Sequence, residues 1–217
     1  MTSTVKPPRK QPQRKAAERR AVESALIEGA ETVERIVTAA ARLMARDGEL
    51  EPNMRELLSS AGISTRAFYR HFPSKAALIS VVIEEIYNEM LDRLQQSVVA
   101  SDTAEHKLRG WIDATLDYAA DPDLATRGRA LVVHQAQLSR DYADVYIEAG
   151  RALNAQIAAI IEQGIADNVF CTSKVQSDAR MIVSLTVATM QRHVILVSSP
   201  SPGEAAQLAD FVLRTLR

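Results

Sequence analysis

Apolar residues recur at three-and-four spacing through most of the chain. Val33, Ile36, Val37, Ala40, Leu43 and Met44 share one helical face, and Asp47-Gly48 ends the run. Asn53-Met54-Arg55-Glu56 reads as a capping box opening a short helix to about Ser60. Gly62 breaks that helix and Ser64 caps another to about His71. Pro73-Ser74 then opens a long helix through Leu78, Val82, Ile86, Met90 and Leu94 to about Val99. Asp102 with Glu105 predicts the start of the next, which carries Leu108, Trp111, Ile112, Thr115, Leu116 and Ala119 and stops at Asp121-Pro122-Asp123. Further helices are expected over about Leu124–Leu138 and from Tyr142 to about Asp167. Ser173-x-x-Gln176 is expected to cap one that is apolar on most faces over 181–197. After a break at Ser198–Gly203, a box of Ser201, Pro202 and Glu204 opens the last helix, to about Leu216. No alternating strand pattern and no internal repeat interrupts this series, so an all-α chain of about nine helices is predicted.

Composition narrows the class. The 217 residues are 47% hydrophobic and 24% charged, enough apolar material for a real core. A single cysteine, Cys171, excludes an internal disulfide framework and any multi-cysteine zinc site. Apolar stretches are broken by charge well short of a membrane span, and the N-terminus has no secretory core. A cytoplasmic protein without membrane partner is expected.

The formal net charge of −1 hides an asymmetry. Residues 1–20 hold seven basic side chains against Glu18 alone, a net of +6. Pro7, Pro8 and Pro12 are expected to deny helix to roughly the first dozen residues, and the Lys15–Ala30 stretch is helix-permissive. Residues 1–30 therefore read as a basic, partly disordered arm, either a solubilising tail or a strip that tracks DNA phosphates.

The segment Asn53–Lys75 carries the most specific chemistry. Two short helices around Gly62 make a helix-turn-helix shape, with Leu57, Ala61, Ile63, Ala67, Phe68 and Phe72 able to bury one seam. Shape alone also fits an ordinary helical hairpin. Arg55, Arg66 and Lys75, however, each follow an expected N-cap by one or two residues. Cations at the positive end of a helix are unfavourable by about 0.3–1 kcal/mol. A bound polyanion removes that conflict, because helix N-termini and basic side chains together hold phosphate.

These residues resemble the DNA-binding domain of the tetracycline-repressor (TetR) family of bacterial transcription regulators. The resemblance runs from Ile36-x-x-Ala39-Ala40-x-x-Leu43 through Leu57-Leu58-x-x-Ala61-Gly62-Ile63-Ser64 to Ala67-Phe68-Tyr69-x-His71-Phe72-x-Ser74-Lys75-x-x-Leu78. It implies a DNA-binding domain at 31–80 and a recognition helix, starting at Ser64, in the major groove. It further implies that Ser64, Tyr69, His71 and Lys75 hold phosphates, while Arg55, Thr65, Arg66 and Arg70 face bases. Arginine reads guanine through O6 and N7, so guanines are expected in each half-site. Two positions depart from the family pattern: Asn53-Met54 and Ala67 stand where members often carry threonine.

The resemblance also implies that 81–217 is a larger helical domain that dimerises and encloses a pocket for a small effector. Twelve basic and eighteen acidic side chains lie beyond residue 80, a balance that repels DNA. Helices at about 175–198 and 203–216 are the expected homodimer interface, the lesser alternative for the first being the buried central helix of a monomer. Polar or aromatic residues on apolar faces are the pocket candidates: Trp111, Thr115, His134, Gln135, Tyr142 and Tyr146, with Tyr87, Met90 and Met181 as further lining. With no cationic cluster among them, a largely apolar effector is expected. The linked equilibrium is then a dimer on a palindromic double-stranded operator, released when the effector binds. Repression is the family's usual outcome.

An enzyme is disfavoured, since no His-Glu-x-x-His, Gly-rich phosphate loop or Gly-x-Ser-x-Gly is present. His71, His106, His134 and His193 show no metal-ligand spacing, and neither metal nor cofactor is expected. A helical adaptor that dimerises without binding DNA is the remaining alternative.

Overall fold

The computed structural model describes residues 11–99 and 101–217, with side chains from residue 29 onward, and every regular element among them is helical. The helices are α1 (Gln11–Asp47), α2 (Met54–Ala61), α3 (Thr65–His71), α4 (Lys75–Val99) and α5 (Ala104–Ala120). They continue with α6 (Pro122–Val133), α7 (Gln135–Asp141), α8 (Ala143–Ala166), α9 (Val175–Leu196) and α10 (Glu204–Leu216). Residues 1–10 of the basic arm lie outside the described residues. From Gln11 the backbone is helical, contrary to the expectation from Pro12. Pro12 is the second residue of α1, where a missing N–H breaks no helical bond. The helix then passes residue 30 without a break.

The count is ten rather than nine because the expected 124–138 helix bends at His134 (φ −100°, ψ 30°). The amide ladder persists there, with His134 N donating to the Ala130 carbonyl at 3.0 Å and Leu138 N to the His134 carbonyl at 2.9 Å. His134 Nε2 lies 3.0 Å from the Gly48 carbonyl, a tertiary contact invisible to hydrophobic periodicity.

Short polar residues set the other boundaries. Asn53 Oδ1 accepts from the Arg55 and Glu56 amides at 2.9 and 3.4 Å, and Ser64 and Ser74 cap α3 and α4 through the Ala67 and Ala77 amides. One expected cap moves by one residue, and the one expected at Ser173 is replaced by a bond ahead of the helix. Thr103, not Asp102, accepts from the His106 amide. Before α9, Thr172 rather than Ser173 accepts from the Lys174 amide at 3.0 Å and donates to Asp178. The box before α10 keeps one half, the Glu204 carboxylate accepting from the Ser201 amide at 3.0 Å, and the helix starts beyond Gly203 (φ 83°).

The two larger apolar clusters organise the packing, and α4 spans both. Leu78, Ile79, Val82 and Ile83, from its first half, pack with Ile36, Ala40, Met44, Leu57 and Phe68. Ala130, Leu131, Leu138 and Tyr142 join this same cluster, so α6–α8 help build the N-terminal core. Leu94 and Val98, from the far end of α4, pack with Trp111, Ile157, Ile161, Ile182 and Val212. No described helix is long and apolar enough to cross a membrane.

Candidate nucleic-acid interface and internal cavity

The helix-turn-helix is built around its aromatic residues. Phe68 is fully buried and Phe72 nearly so, their ring centroids 5.7 Å apart, and Leu57 and Ala61 close the seam from α2. Gly62 supplies the turn at φ 64°, its amide reaching the Leu58 and Ser59 carbonyls. With Phe68 turned inward, helical geometry turns Arg66, Tyr69 and Arg70 away from the core, and these three and Thr65, at the first position of α3, are all exposed. Tyr69 rests edge-on against Phe68, centroids 5.2 Å apart, yet remains 54% exposed. Arg55 and Ser64 are exposed beside this row. Among the described residues, Arg55, Arg66 and Arg70 have no side-chain hydrogen bond or ion pair.

The remaining two expected phosphate ligands are placed differently. His71 is half-buried beside Gly29 of α1, and its Nε2 is buried without a partner. Lys75 Nζ lies 3.3 Å from Glu51. Glu51 in turn accepts from the Tyr142 hydroxyl at 3.3 Å and Gln137 Nε2 at 3.5 Å. The loop between α1 and α2 is thereby clasped from the α7–α8 side, and His134 adds contacts to Gly48 and, at 3.3 Å, to Glu49.

A cavity of about 590 Å³ lies between α4, α6, α8 and α9, a size suited to small organic ligands. Of the pocket candidates from sequence, Tyr87, Met90, Gln135 and Tyr146 line it. The other five do not. Trp111 is fully buried in the second cluster, its Nε1 donating to Gln156 Oε1 at 2.9 Å. Thr115 is buried too and donates back to the Trp111 carbonyl. His134 and Tyr142 face the α1–α2 loop instead, and Met181 is 67% exposed on the outer face of α9. Sequence reasoning missed Asn154, Arg180, Tyr118 and Gln191 in the lining. A usable signal was Gly128 and Gly150, both inside helices and both lining the cavity, since glycine there is unfavourable without a packing reason.

Burial pushes the Tyr87 hydroxyl well up, with Tyr146 nearby adding to the shift. Burial also pushes Tyr118 up to about 12, Arg93 partly opposing it. Both stay protonated donors throughout the neutral range. Beyond the cavity, the outer surfaces of α9 and α10 expose Met181, Leu185 and Phe211. The two helices are tied at one end by Glu204, which meets Arg192 at 2.8 Å and His193 at 3.1 Å. The Ser201 amide and then His193 hold the Glu204 carboxyl down at about 2.

Residues 36–82 match the family described as bacterial regulatory proteins, tetR family. The nucleoid occlusion factor SlmA of Haemophilus influenzae is 30% identical over 93 residues, 42% of this chain and 43% of that protein. The chain thus matches less than half the length of that relative. A TetR transcription regulator from Haloarcula marismortui superposes with TM-score 0.72 at 19% identity, covering 86% of this chain and 98% of the other. The reduced form of NemR from E. coli superposes at 0.70 and 18% identity, with the same coverage of 86% and 98%. At such identities the likeness is one of fold.

Proposed function

Through residues 36–82 the chain belongs to the tetR family of bacterial regulatory proteins, and we propose that it is a transcriptional repressor that holds a palindromic operator as a homodimer. A small, largely apolar effector that fills the cavity releases it. It is a non-enzymatic DNA-binding regulator. The observation that carries the reading is the exposed row of Thr65, Arg66, Tyr69 and Arg70 over a buried Phe68, with all three arginines of the segment unpaired. Inserted in the major groove, Arg66 and Arg70 of α3 reach base edges with Thr65, and Arg55 reaches in from α2. Ser64, Tyr69 and Lys75 meet phosphates, as does His71 through Nδ1. Residues 31–80 form the DNA-binding part on this reading and 81–217 the effector-binding and dimerising part.

Two further observations support the finer parts. The apolar outer faces of α9 and α10 suit a seam between two copies, which would set the recognition helices about one DNA turn apart, roughly 34–36 Å. The cavity touches the middle of α4, so filling it strains the helix that carries the DNA-binding end.

Selection of bound sites from random DNA tests the proposal. The expected result is a palindrome with guanines in each half-site. Arg66→Ala should weaken binding by about 1–3 kcal/mol and relax specificity at one position. A well-folded dimer that enriches no palindrome, or that binds equally after Arg66→Ala, would overturn the reading.

A further inference from the structure

Among the described residues of the cavity lining, one side chain has a fully buried polar atom with no partner. Asn154, on α8, lines the cavity, and its Oδ1 is buried without a hydrogen bond. Its neighbour Gln156 makes a sharp contrast. Gln156 Oε1 accepts from Trp111 Nε1 at 2.9 Å and its Nε2 donates to the Leu91 carbonyl at 3.0 Å, so that amide is complete. The polar group two turns back on α8 is also occupied, Gln135 Nε2 donating to the Tyr146 hydroxyl at 3.3 Å. A buried acceptor left unpaired is unfavourable, and native folds rarely tolerate one without a reason. Here the side chain that carries it belongs to the lining of a space large enough for a ligand.

The charge of the lining narrows that ligand. No Asp or Glu is among the described lining residues, so a cation would enter without a counter-charge. Both arginines of the lining, Arg151 and Arg180, are exposed, and Arg151 already faces Glu148 at 3.3 Å. They belong to the rim rather than to the apolar interior. The interior walls are Ile86, Met90, Leu131, Val183 and Val187, with tyrosine rings from α4, α5 and α8.

We propose that the effector is an uncharged, mainly apolar molecule whose single hydroxyl hydrogen-bonds the Asn154 carboxamide. A hydroxyl both donates and accepts, so it completes the carboxamide in either orientation of the amide. This rests on the cavity being the effector site. Gly150 lies one turn before Asn154 on the same face and a side chain there would meet open space, so the ligand's apolar body lies over Gly150.

Calorimetric titration of the full chain with 4-butylphenol, 4-butylanisole and 4-butylbenzoate tests this. The anisole keeps the apolar body and removes the donor; the benzoate replaces the hydroxyl by a charge. The phenol should bind about tenfold tighter than the anisole, and Asn154→Leu, similar in volume, should abolish that preference while still binding the anisole. Gly150→Leu should remove binding of both while keeping the helical spectrum and cooperative unfolding of the unaltered chain, which shows the variant to be folded. A preference for the phenol that survives Asn154→Leu, or no preference in the unaltered chain, overturns the role of Asn154 but not the cavity. Tightest binding by the benzoate, lost on Arg180→Ala, overturns the uncharged ligand. Failure of every probe to bind, or binding that is indifferent to Gly150→Leu, overturns the cavity as effector site.

Discussion

Glycines show how one atom's surroundings decide the sign of a substitution. In a helix interior, glycine-to-alanine normally stabilises by about 0.5–1 kcal/mol, because alanine restricts the unfolded chain and covers the backbone. Gly128, inside α6, fits that rule, since a Cβ there would meet nothing within 4 Å. Gly164, inside α8, reverses it. A Cβ at that position would lie 2.0 Å from the Phe170 ring, and Phe170 is itself buried, its amide donating to the Gly164 carbonyl at 3.0 Å. The ring cannot retreat without leaving the second apolar cluster. Gly128→Ala should therefore raise the urea midpoint, and Gly164→Ala should lower stability by about 1–3 kcal/mol through overpacking. Two changes in the same direction would show that the Phe170 contact does not govern Gly164.

At the scale of elements, α9 and α10 present the clearest unsatisfied surface. Ile182, Thr186 and Met190 face inward along α9 while Met181 and Leu185 face out, and α10 buries Ala209, Val212 and Leu213 while exposing Phe211. Apolar side chains left in water on these two helices are what the proposed seam between two copies would cover. Leu185→Glu with Phe211→Glu places charge on that seam; light scattering should find a monomer at micromolar concentration with an unchanged helical spectrum and weakened operator binding. A dimer that survives the double change places the seam elsewhere. The all-helical class, the caps at Asn53, Ser64 and Ser74, and the buried seam of Leu57, Ala61, Phe68 and Phe72 were legible in sequence because each depends on residues close together along the chain. The cavity was only half legible for the opposite reason. Trp111, His134 and Tyr142 have the right chemistry and helical spacing, but their partners, Gln156, Gly48 and Glu51, lie 45, 86 and 91 positions away. Periodicity reports that a helix has a buried face; it does not report whether that face meets another helix or an empty space.

At the scale of the molecule, the candidate DNA-binding end and the cavity share α4 and meet again at Glu51. The first half of α4 belongs to the N-terminal cluster and the last residues to the other, with Ile86, Tyr87 and Met90 on the cavity between them. The second connection is polar: Lys75, at the start of α4, reaches Glu51, and Glu51 reaches Tyr142 and Gln137 near the α7–α8 junction. A lysine engaged by a carboxylate is less available to a phosphate, and the carboxylate itself repels the DNA backbone. Glu51→Gln removes both effects, so operator affinity should rise several-fold at low salt, with the slope of log affinity against log salt steepening by up to about one unit. Lys75→Ala should act in the opposite sense. The pair separates through a cycle: if Glu51 acts by restraining Lys75, the gain from Glu51→Gln shrinks in the Lys75→Ala background, whereas simple repulsion gives the same gain in both. Anisotropy titrations at three salt concentrations across the four proteins measure it. An additive cycle leaves α4 as the route between cavity and DNA; a non-additive one makes Glu51 a second route, through which the α7–α8 junction sets how freely Lys75 meets a phosphate.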